Sequence, residues 1–260
     1  MNNKTSLKAK VKTVFGIIKV YKNWPTYFLD YFKKIKKKNI TITLRNGVKF
    51  LVRSRTYDII VLNEMWLKNT YNPKGFEIKE NDTIVDIGAH IAVFSIYAAI
   101  LAKKGRVYAF EPMPENYSLL KKNISINHLK NIIPINQAVD SKSGITELFI
   151  NEENTGGNSL LLKNSEKSNR IQVHTTSIQE FMKKYSIDKI DILKMDCEGA
   201  EYEILFKCPK NTLNKISKIT MEYHPIDKSR NVKTLKRFLE KNGFKVKYTI
   251  SDSWMLYAKR

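Results

Sequence analysis

Two apolar stretches of the sequence end in side chains that could help to deprotonate a hydroxyl group. ILKMDCEGAE brings Asp196 and Glu198 to the end of a predicted strand, and MEYHP brings Glu222 and His224 to the end of another. A neutral hydroxyl is a poor nucleophile, so its alkylation usually needs a base or a metal ion that lowers its pKa. Either His224 is the general base and Asp196 orients it or the substrate, or Asp196 and Glu222, with or without His224, hold a divalent cation that binds vicinal hydroxyls.

The same residues also have purely structural interpretations. A helix is predicted to start at Gly199, and carboxylates near a helix N-terminus are stabilised by the helix dipole. We therefore interpret Glu201 as a cap, leave both interpretations open for Glu198, and assign Asp196 to the chemistry. His224 precedes a proline and could be a packed histidine, but its position two residues after Glu222 favours a functional role.

The elements that must position these residues alternate regularly from residue 82 onward. Repeated strand–helix units predict an α/β fold with a mostly parallel twisted sheet and helices on both faces, ending in an antiparallel strand pair. Ligands of such sheets bind at the carboxyl ends of the strands. The polar segment 151–169 is predicted to be a loop. The predicted strands are 83–87, 106–110, 132–135, 190–195 and 217–223, and the predicted helices are 91–103, 115–127, 177–185, 200–207 and 232–242.

The first of these strands, in DTIVDIGAHIAVFS, turns into a helix through small residues, as in many nucleotide-binding proteins. Gly88 lacks the second and third glycines of the pattern G-x-G-x-x-G, which serves a pyrophosphate at a helix N-terminus. The turn therefore argues against a dinucleotide and suits S-adenosylmethionine, which has no phosphate. Asp86 could meet the ammonium group of this cofactor or ordered water, while Gly88 and Ala89 let the backbone approach it.

The ends of the next two strands fit the remaining parts of the same cofactor. The second strand ends at Glu111, and a carboxylate there can accept hydrogen bonds from both hydroxyls of a ribose. Pro112 helps to fix the chain just past this carboxylate. After the third strand, Ala138 and Val139 form an apolar wall that suits adenine.

The ordered stretches VDIGAHIAVFS, VYAFEPMPENYSLLKKNI, NQAVDSKSG, GGNSL, ILKMDCEGAEYEIL and MEYHP together resemble the FkbM family of methyltransferases. The resemblance runs from about Glu64 to the C-terminus, and this set of motifs in this order is specific. It implies a Rossmann-like class I methyltransferase fold with a seven-stranded sheet and S-adenosylmethionine as cofactor. It also implies O-methylation of a hydroxyl on a sugar, glycan, glycolipid or natural product.

The resemblance extends to individual residues. It implies that Asp196 lies beside the transferring methyl group, and that Glu64 and Tyr71 line the mouth of the site, although Tyr71 could simply pack there. The loop TGGNSL is expected to close over cofactor or substrate. The chain departs from the family pattern at His90, where Asn is usual, and at Ala92, where Gly is usual. Alanine is a small change, whereas the larger His90 is expected to alter contacts with the methionine end of the cofactor.

Positive charge is concentrated in the N-terminal fifth of the chain. Residues 1–56 hold 15 Lys and Arg but a single acid, Asp30, within a formal net charge of +21. We predict a basic extension over 1–56, made of an amphipathic helix and then a β-hairpin, and a methyltransferase domain over 57–260. Residues 1–38 combine helical apolar rows with lysines. They either pack on the catalytic domain or contact an anionic membrane surface where a membrane-proximal acceptor is methylated.

Other functions and locations are less favoured by the sequence. Bilayer-spanning apolar stretches and an apolar signal core are both missing, so we expect a cytoplasmic protein, peripheral to the inner face of the membrane if residues 1–38 bind lipid. A nucleic-acid methyltransferase is one alternative, but base methylation typically uses an Asn/Asp-Pro-Pro-aromatic turn where this chain has MDCE. A non-catalytic membrane-associated scaffold is the other alternative, and the intact Asp86, Glu111 and Asp196 argue against it.

Overall fold

The computed structural model describes residues 7–151, 156–160, 169–250 and 254–260, and a seven-stranded sheet forms its centre. Numbered along the chain and given in spatial order, its strands are β11 (Lys245–Tyr248), β12 (Met255–Lys259), β10 (Ile216–Glu222), β9 (Ile190–Met195), β3 (Thr83–Ile87), β4 (Arg106–Phe110) and β5 (Ile132–Ile135). The five strands from β10 to β5 are parallel, while β12 runs antiparallel to both β10 and β11. Strand order reverses between β9 and β3, so the carboxyl ends of these two strands flank a crevice.

Alternation along the strands divides the apolar residues between two cores, one on each face of the sheet. Ile84 and Ala109 belong to one core, whereas Val85 and Tyr108 belong to the other. Successive side chains of a strand point to opposite faces. Asp86 therefore lies on the same face as Ile84. The helices that follow residue 90 are α4 (Val93–Leu101), α5 (Pro114–Ile126), α6 (Ile178–Lys184), α7 (Glu201–Phe206), α8 (Lys210–Leu213) and α9 (Val232–Lys241).

The predicted mostly parallel sheet is confirmed, with small differences at the ends of its elements. Four predicted strands coincide with β3, β4, β5 and β9, and the fifth lies one residue earlier than predicted. The helices differ by at most two residues at either end. The predicted helix 91–103 starts later because Ala92 takes a left-handed conformation, with a φ of 70°.

A second, three-stranded sheet is not anticipated by the sequence analysis. It consists of β6 (Ala138–Val139), β8 (Arg170–Thr176) and β7 (Gly144–Phe149), in that order. These strands are short or mostly exposed, so their hydrophobic pattern is weak. Within the predicted loop 151–169, residues 152–155 and 161–168 lie outside the described residues. Ser159, which is described, bridges to Phe149 at the end of β7.

The N-terminal residues pack against the sheet and its helices. The predicted hairpin is confirmed, and its buried residues Phe50 and Val52 belong to the same core as α4 and α5. Asn123 of α5 bonds both backbone groups of Leu51, at 2.7 and 3.1 Å. A domain boundary at residue 56 stays a prediction. The elements of this part are α1 (Leu7–Val20), α2 (Trp24–Tyr31), β1 (Asn39–Thr43), β2 (Lys49–Arg53) and α3 (Asp58–Trp66).

Candidate active site

A pocket opens at the carboxyl ends of β3, β4 and β9, where the sequence analysis expects a ligand. Helix α3 and Tyr71, which follows it, close one side of the pocket, and the loop 156–160 contributes to another. Ten of the predicted cofactor-binding residues line this pocket, and Asp86 does not. The ten are Glu64, Tyr71, Gly88, Ala89, His90, Glu111, Pro112, Ala138, Val139 and Asp196.

The turn after β3 requires glycine because two backbone segments meet there. Gly88 has a φ of 76°, and a Cβ added to it would lie 1.8 Å from the carbonyl oxygen of Asp196. The N–H groups of Gly88 and Ala89 both donate to the carbonyl of Phe110, at 3.1 and 2.9 Å. The turn is thereby tied to the ends of β4 and β9, and its backbone is open to a ligand on the pocket side.

Asp86 lies beneath the pocket rather than in its lining, which corrects its expected place. Its fully buried carboxylate accepts a hydrogen bond from the Ser95 hydroxyl at 2.5 Å and pairs with the Lys194 ammonium at 3.0 Å. The reason is its position in the strand, because residue 86 points into the core under α4 and not past the strand end. Asp86 therefore acts on the pocket through Lys194.

Lys194 is a pocket residue that the sequence analysis misses. Its buried ammonium donates to the carbonyl of Gly88 at 2.8 Å, lies 4.0 Å from the Asp196 carboxylate, and sits 5.1 Å from the centre of the Tyr71 ring. Burial lowers the pKa of Lys194, but Asp86 and Asp196 outweigh this effect and raise it. A lysine inside the apolar strand ILKM is the signal that could have identified it, because buried charges need partners.

Tyr71 joins the segment before β3 to the end of β9. Its hydroxyl donates to Asp196 Oδ2 at 2.9 Å, and its ring packs edge-on against Phe94 at 5.8 Å. Tyr71 thus both packs in the pocket wall and orients Asp196. Glu64 lines the same side, and burial together with the negative charge of Asp196 raises its pKa.

Glu111 is buried at the end of β4, with both carboxylate oxygens turned toward the loop after β3 and the start of α5. Oε2 accepts from the His90 backbone N–H at 2.8 Å, and Oε1 accepts from that of Met113 at 2.9 Å. Burial raises the pKa of Glu111 to about 7, although these hydrogen bonds lower it. Asn116 Nδ2 also donates to Oε1, at 3.4 Å, so Oε2 is the oxygen with a lone pair left for a further hydrogen bond.

His90, one of the two departures from the family pattern, contacts the N-terminal hairpin. Arg53 Nη2 donates to His90 Nε2 at 3.0 Å, and Arg53 also binds the fully buried carboxylate of Asp58 at 2.8 Å. Burial and Arg53 lower the pKa of His90 to about 4, against the opposing effect of Asp58, so the ring is neutral. Neither Arg53 nor Asp58 carries a sequence signal for this role, because they lie more than thirty residues before His90.

A second group of polar side chains lies where β9 and β10 end. One ligand atom from each of Asp196, Glu198 and His224 lies within 4.8 Å of the others, a compact group among the described residues. The imidazole Nδ1 donates to Glu201 Oε1 at 2.9 Å, and Nε2 lies 3.5 Å from Glu198 Oε2. Glu222, predicted as a metal ligand, ends β10 and is replaced in this compact group by Glu198.

Glu201 has a larger role than the expected helix cap. Its fully buried carboxylate accepts from the backbone N–H of Cys197 at 3.3 Å, as a cap would, and also from His224. Burial lowers the pKa of His224, yet Glu201 and Glu198 raise it to about 10. Burial and the nearby Asp196 raise the pKa of Glu222 to about 7. In this arrangement the His224 ring carries two protons near neutral pH and does not accept a third.

The predicted glycine-containing loop reaches this group through its described residues. The Ser159 hydroxyl donates to the carbonyl of Glu198 at 2.6 Å, and Gly156, Asn158 and Leu160 line the pocket. Glu198 itself has a φ of 52°, in the left-handed region. The loop and the end of β9 therefore enclose the pocket from the side of β7.

Comparisons with known proteins agree with this architecture. The family described as the Methyltransferase FkbM domain matches residues 86–246. The hexuronic acid methyltransferase AglP of Haloferax volcanii is 29% identical over 148 residues, which are 57% of this chain and 58% of AglP. The 31-O-demethyl-FK506 methyltransferase FkbM of Streptomyces tacrolimicus is 20% identical over 215 residues, covering 72% of this chain and 82% of that protein.

Another relative is matched over a small part of its own length, and a solved structure supports the fold. The AMB antimetabolite synthetase AmbE of Pseudomonas aeruginosa is 24% identical over 225 residues, 72% of this chain but 10% of AmbE. The chain thus spans a tenth of AmbE and little more than half of AglP. The methyltransferase FkbM of Methylobacillus flagellatus is 14% identical with a TM-score of 0.50, covering 77% of this chain and 53% of that one. The family match covers more than half of the residues, and the chain therefore belongs to the FkbM family of S-adenosylmethionine-dependent methyltransferases.

Proposed function

We propose that this methyltransferase transfers the methyl group to a hydroxyl oxygen of a sugar, glycan, glycolipid or natural product. The observation that carries the proposal is the group formed by Asp196, Glu198 and His224, whose ligand atoms lie within 4.8 Å of one another next to the pocket. Groups of this kind can bind a hydroxyl and assist the loss of its proton. The names of AglP and of the FK506 methyltransferase, which refer to a hexuronic acid and to an O-methyl group, are consistent with it.

The pocket fits S-adenosylmethionine, which when bound supplies an electrophilic methyl group on a sulfonium. We assign Glu111 to the ribose hydroxyls, because it is a buried carboxylate in the pocket lining whose Oε2 can accept a further hydrogen bond. We assign the backbone of Gly88 and Ala89 to the methionine part of the cofactor. The apolar wall of Ala138 and Val139 suits the adenine.

Lys194 and Tyr71 hold the reactive end of this pocket in shape. Lys194 fixes the Gly88 carbonyl and lies close to Asp196, while Tyr71 donates to Asp196 Oδ2. This bond leaves Asp196 Oδ1 to accept a hydrogen bond from the acceptor hydroxyl. We therefore propose that Asp196 orients the hydroxyl for in-line attack on the methyl group.

We further propose that Asp196, Glu198 and His224 hold a divalent cation. Two carboxylates and an imidazole are a donor set that suits Mg²⁺, Mn²⁺ or Zn²⁺. Glu201 supports this assignment, because a buried carboxylate that accepts from His Nδ1 fixes the ring with Nε2 toward the ligand position, as metal-binding histidines require. A cation held there would lower the pKa of a bound hydroxyl.

The alternative is that His224 acts as the general base without a cation. The two carboxylates beside its ring disfavour this role, because in the absence of a cation they favour a proton on Nε2. A divalent cation could displace that proton on binding, so the same carboxylates do not disfavour the cation proposal. Calorimetric titration of the chelator-treated protein with Mn²⁺ separates the two proposals. We expect binding that is lost in Glu198→Gln and kept in the control Glu240→Gln, whose carboxylate is exposed. If Mn²⁺ does not bind and chelator leaves the single-turnover rate unchanged, the cation proposal is wrong.

The acceptor is tested by mass spectrometry of methyl transfer from deuterated S-adenosylmethionine into extracted glycans, glycolipids and RNA. We expect deuterated methyl groups in the carbohydrate or lipid fraction. Resistance to mild alkali would identify methyl ethers, because methyl esters of uronic acids are hydrolysed. Asp196→Asn serves as the inactive control. Label found only in nuclease-released nucleosides would refute the proposal and favour the RNA methyltransferase alternative.

A further inference from the structure

The two N-terminal helices each bury one side, and this packing accounts for only part of their apolar residues. Ile17, Tyr21 and Tyr27 are buried against the body of the protein. Tyr21 stacks on Tyr27 with ring centres 5.1 Å apart, and its hydroxyl donates to Asn63 at 2.9 Å. These contacts attach the helices to the catalytic body and leave several of their other apolar side chains exposed.

The other side of α1 exposes a row of apolar residues. Val11, Val14 and Phe15 follow the spacing of one helical face, and Phe15 is 68% exposed. Single exposed apolar residues are ordinary, but a contiguous row on one helix marks an interaction surface.

The exposed side of α2 and the residue after it form a ladder of aromatic rings. Trp24 contacts Phe28 at 6.1 Å between ring centres, Phe28 contacts Phe32 at 6.5 Å, and Tyr31 contacts Phe32 at 5.4 Å. Phe28 is half-buried and anchors the ladder, whereas Phe32 is 64% exposed. The ladder therefore presents apolar ring surface to the solvent.

Lysines surround both apolar surfaces, and exposed acids do not offset them. Asp30 is the single acidic residue in 1–38, and its carboxylate is buried and accepts from the backbone N–H of Arg55 at 3.0 Å. The segment therefore presents positive charge alone to a partner. The exposed lysines within residues 11–38 are Lys12, Lys19, Lys22, Lys33, Lys34, Lys36, Lys37 and Lys38.

We propose that residues 11–38 are a docking surface for an anionic lipid bilayer. Aromatic rings and short apolar rows beside lysines suit the membrane interface, where rings enter the headgroup region and lysines meet anionic lipids. A nucleic acid would also attract the lysines. Exposed aliphatic side chains and rings that pack edge-on against each other, as Trp24 and Tyr31 do against their neighbours, favour lipid over base stacking.

Attachment of this kind would be peripheral. In the ranges of the chain given above, no helix is long and apolar enough to cross a membrane. Each lysine near anionic lipid strengthens binding by about fivefold at modest ionic strength, so binding should weaken steeply as salt is added.

The proposal is tested by sedimentation of the full chain with vesicles of phosphatidylcholine, alone or mixed with phosphatidylglycerol. We expect sedimentation with the mixed vesicles at low salt. Binding of Phe15→Ser with Phe32→Ser should be weaker by at least about tenfold. The matched control is Ile145→Ser with Ile250→Ser, which removes side chains that are 63% and 68% exposed outside residues 11–38. We expect this control to bind like the parent.

Charge is tested in the same assay. Replacing Lys33, Lys34 and Lys36 by Gln should weaken binding by about a hundredfold. The same change at three exposed lysines near the C-terminus should weaken it less than about threefold. These control positions are Lys241, Lys245 and Lys247.

Three outcomes would overturn the proposal. The first is a full chain that stays in the supernatant with anionic vesicles at low salt. The second is a control variant that weakens binding as much as its matched test variant. The third is tight binding to single-stranded RNA, measured by fluorescence anisotropy and unaffected by Phe15→Ser with Phe32→Ser, without vesicle binding. Because all substituted side chains are exposed, unchanged thermal unfolding and cofactor binding should accompany every variant.

Discussion

Glu111→Gln tests the cofactor end of the pocket because it changes the chemistry of a side chain without changing its shape. Both carboxylate oxygens of Glu111 accept backbone N–H bonds, from His90 at 2.8 Å and from Met113 at 2.9 Å. A carboxamide has a single oxygen, so its NH₂ group must face one of these N–H donors. Leaving one buried donor without an acceptor costs about 1–3 kcal/mol.

The same substitution removes a group whose protonation is linked to folding. Burial raises the pKa of Glu111 to about 7 from an ordinary value of 4.5, although Met113 and His90 oppose the rise. The folded state then holds this proton more tightly than the unfolded state does. The contribution of Glu111 to the free energy of unfolding is therefore greatest below about pH 4.5 and is lost as pH rises through about 7. A rise of this size corresponds to about 3 kcal/mol, so the free energy of unfolding of the parent should fall by up to that amount relative to Glu111→Gln.

Cofactor binding should change in the opposite direction with pH. Ribose hydroxyls donate hydrogen bonds, so they favour the ionised carboxylate, and the affinity of the parent should increase as pH rises toward about 7. Loss of a charge-assisted hydrogen bond costs about 1.5–3 kcal/mol. The dissociation constant of Glu111→Gln should therefore be about tenfold to a hundredfold higher and nearly independent of pH.

Titration calorimetry with S-adenosylmethionine and denaturant unfolding, each at an acidic and an alkaline pH, measure both effects. Glu115→Gln is the matched control, because Glu115 is exposed in the first turn of the same helix, α5. We expect this control to follow the parent in both measurements. An unchanged dissociation constant in Glu111→Gln would refute the assignment of Glu111 to the ribose, and parallel stability curves would refute the linkage argument.

Three further substitutions test other parts of the site. Asp196→Asn should slow single-turnover methyl transfer by at least about a hundredfold with little change in cofactor affinity; transfer at the parental rate would make Asp196 structural. Lys194→Met should lower the free energy of unfolding by about 3–5 kcal/mol, because it leaves the buried carboxylate of Asp86 without its ion-pair partner. Adding Asp86→Asn to this variant should recover part of the loss, because it removes the unpaired charge. Arg53→Gln should lower the free energy of unfolding by a similar amount, because it leaves the buried carboxylate of Asp58 without its partner. Arg170→Gln, in an exposed ion pair, should lower it by less than about 1 kcal/mol. Equal losses in denaturant unfolding would contradict the argument.

Local pattern predicts most of the sheet because each core strand is largely apolar and is followed by a small or polar residue. The strands 83–87, 106–110 and 190–195 coincide with β3, β4 and β9 for this reason. Residues at the carboxyl ends of parallel strands meet at one edge whatever the packing beneath them. The sequence alone is therefore enough to predict that Gly88, Glu111 and Asp196 line one pocket.

Tertiary structure decides which way the other polar side chains turn. Asp86 points into the core toward Lys194, His90 meets Arg53 from the hairpin, and Glu201 binds His224. Two of these three contacts join residues more than thirty positions apart, and the third joins α7 to the loop after β10. Each depends on strand register and helix rotation, because only the folded chain brings the partners of a buried polar group within hydrogen-bond distance.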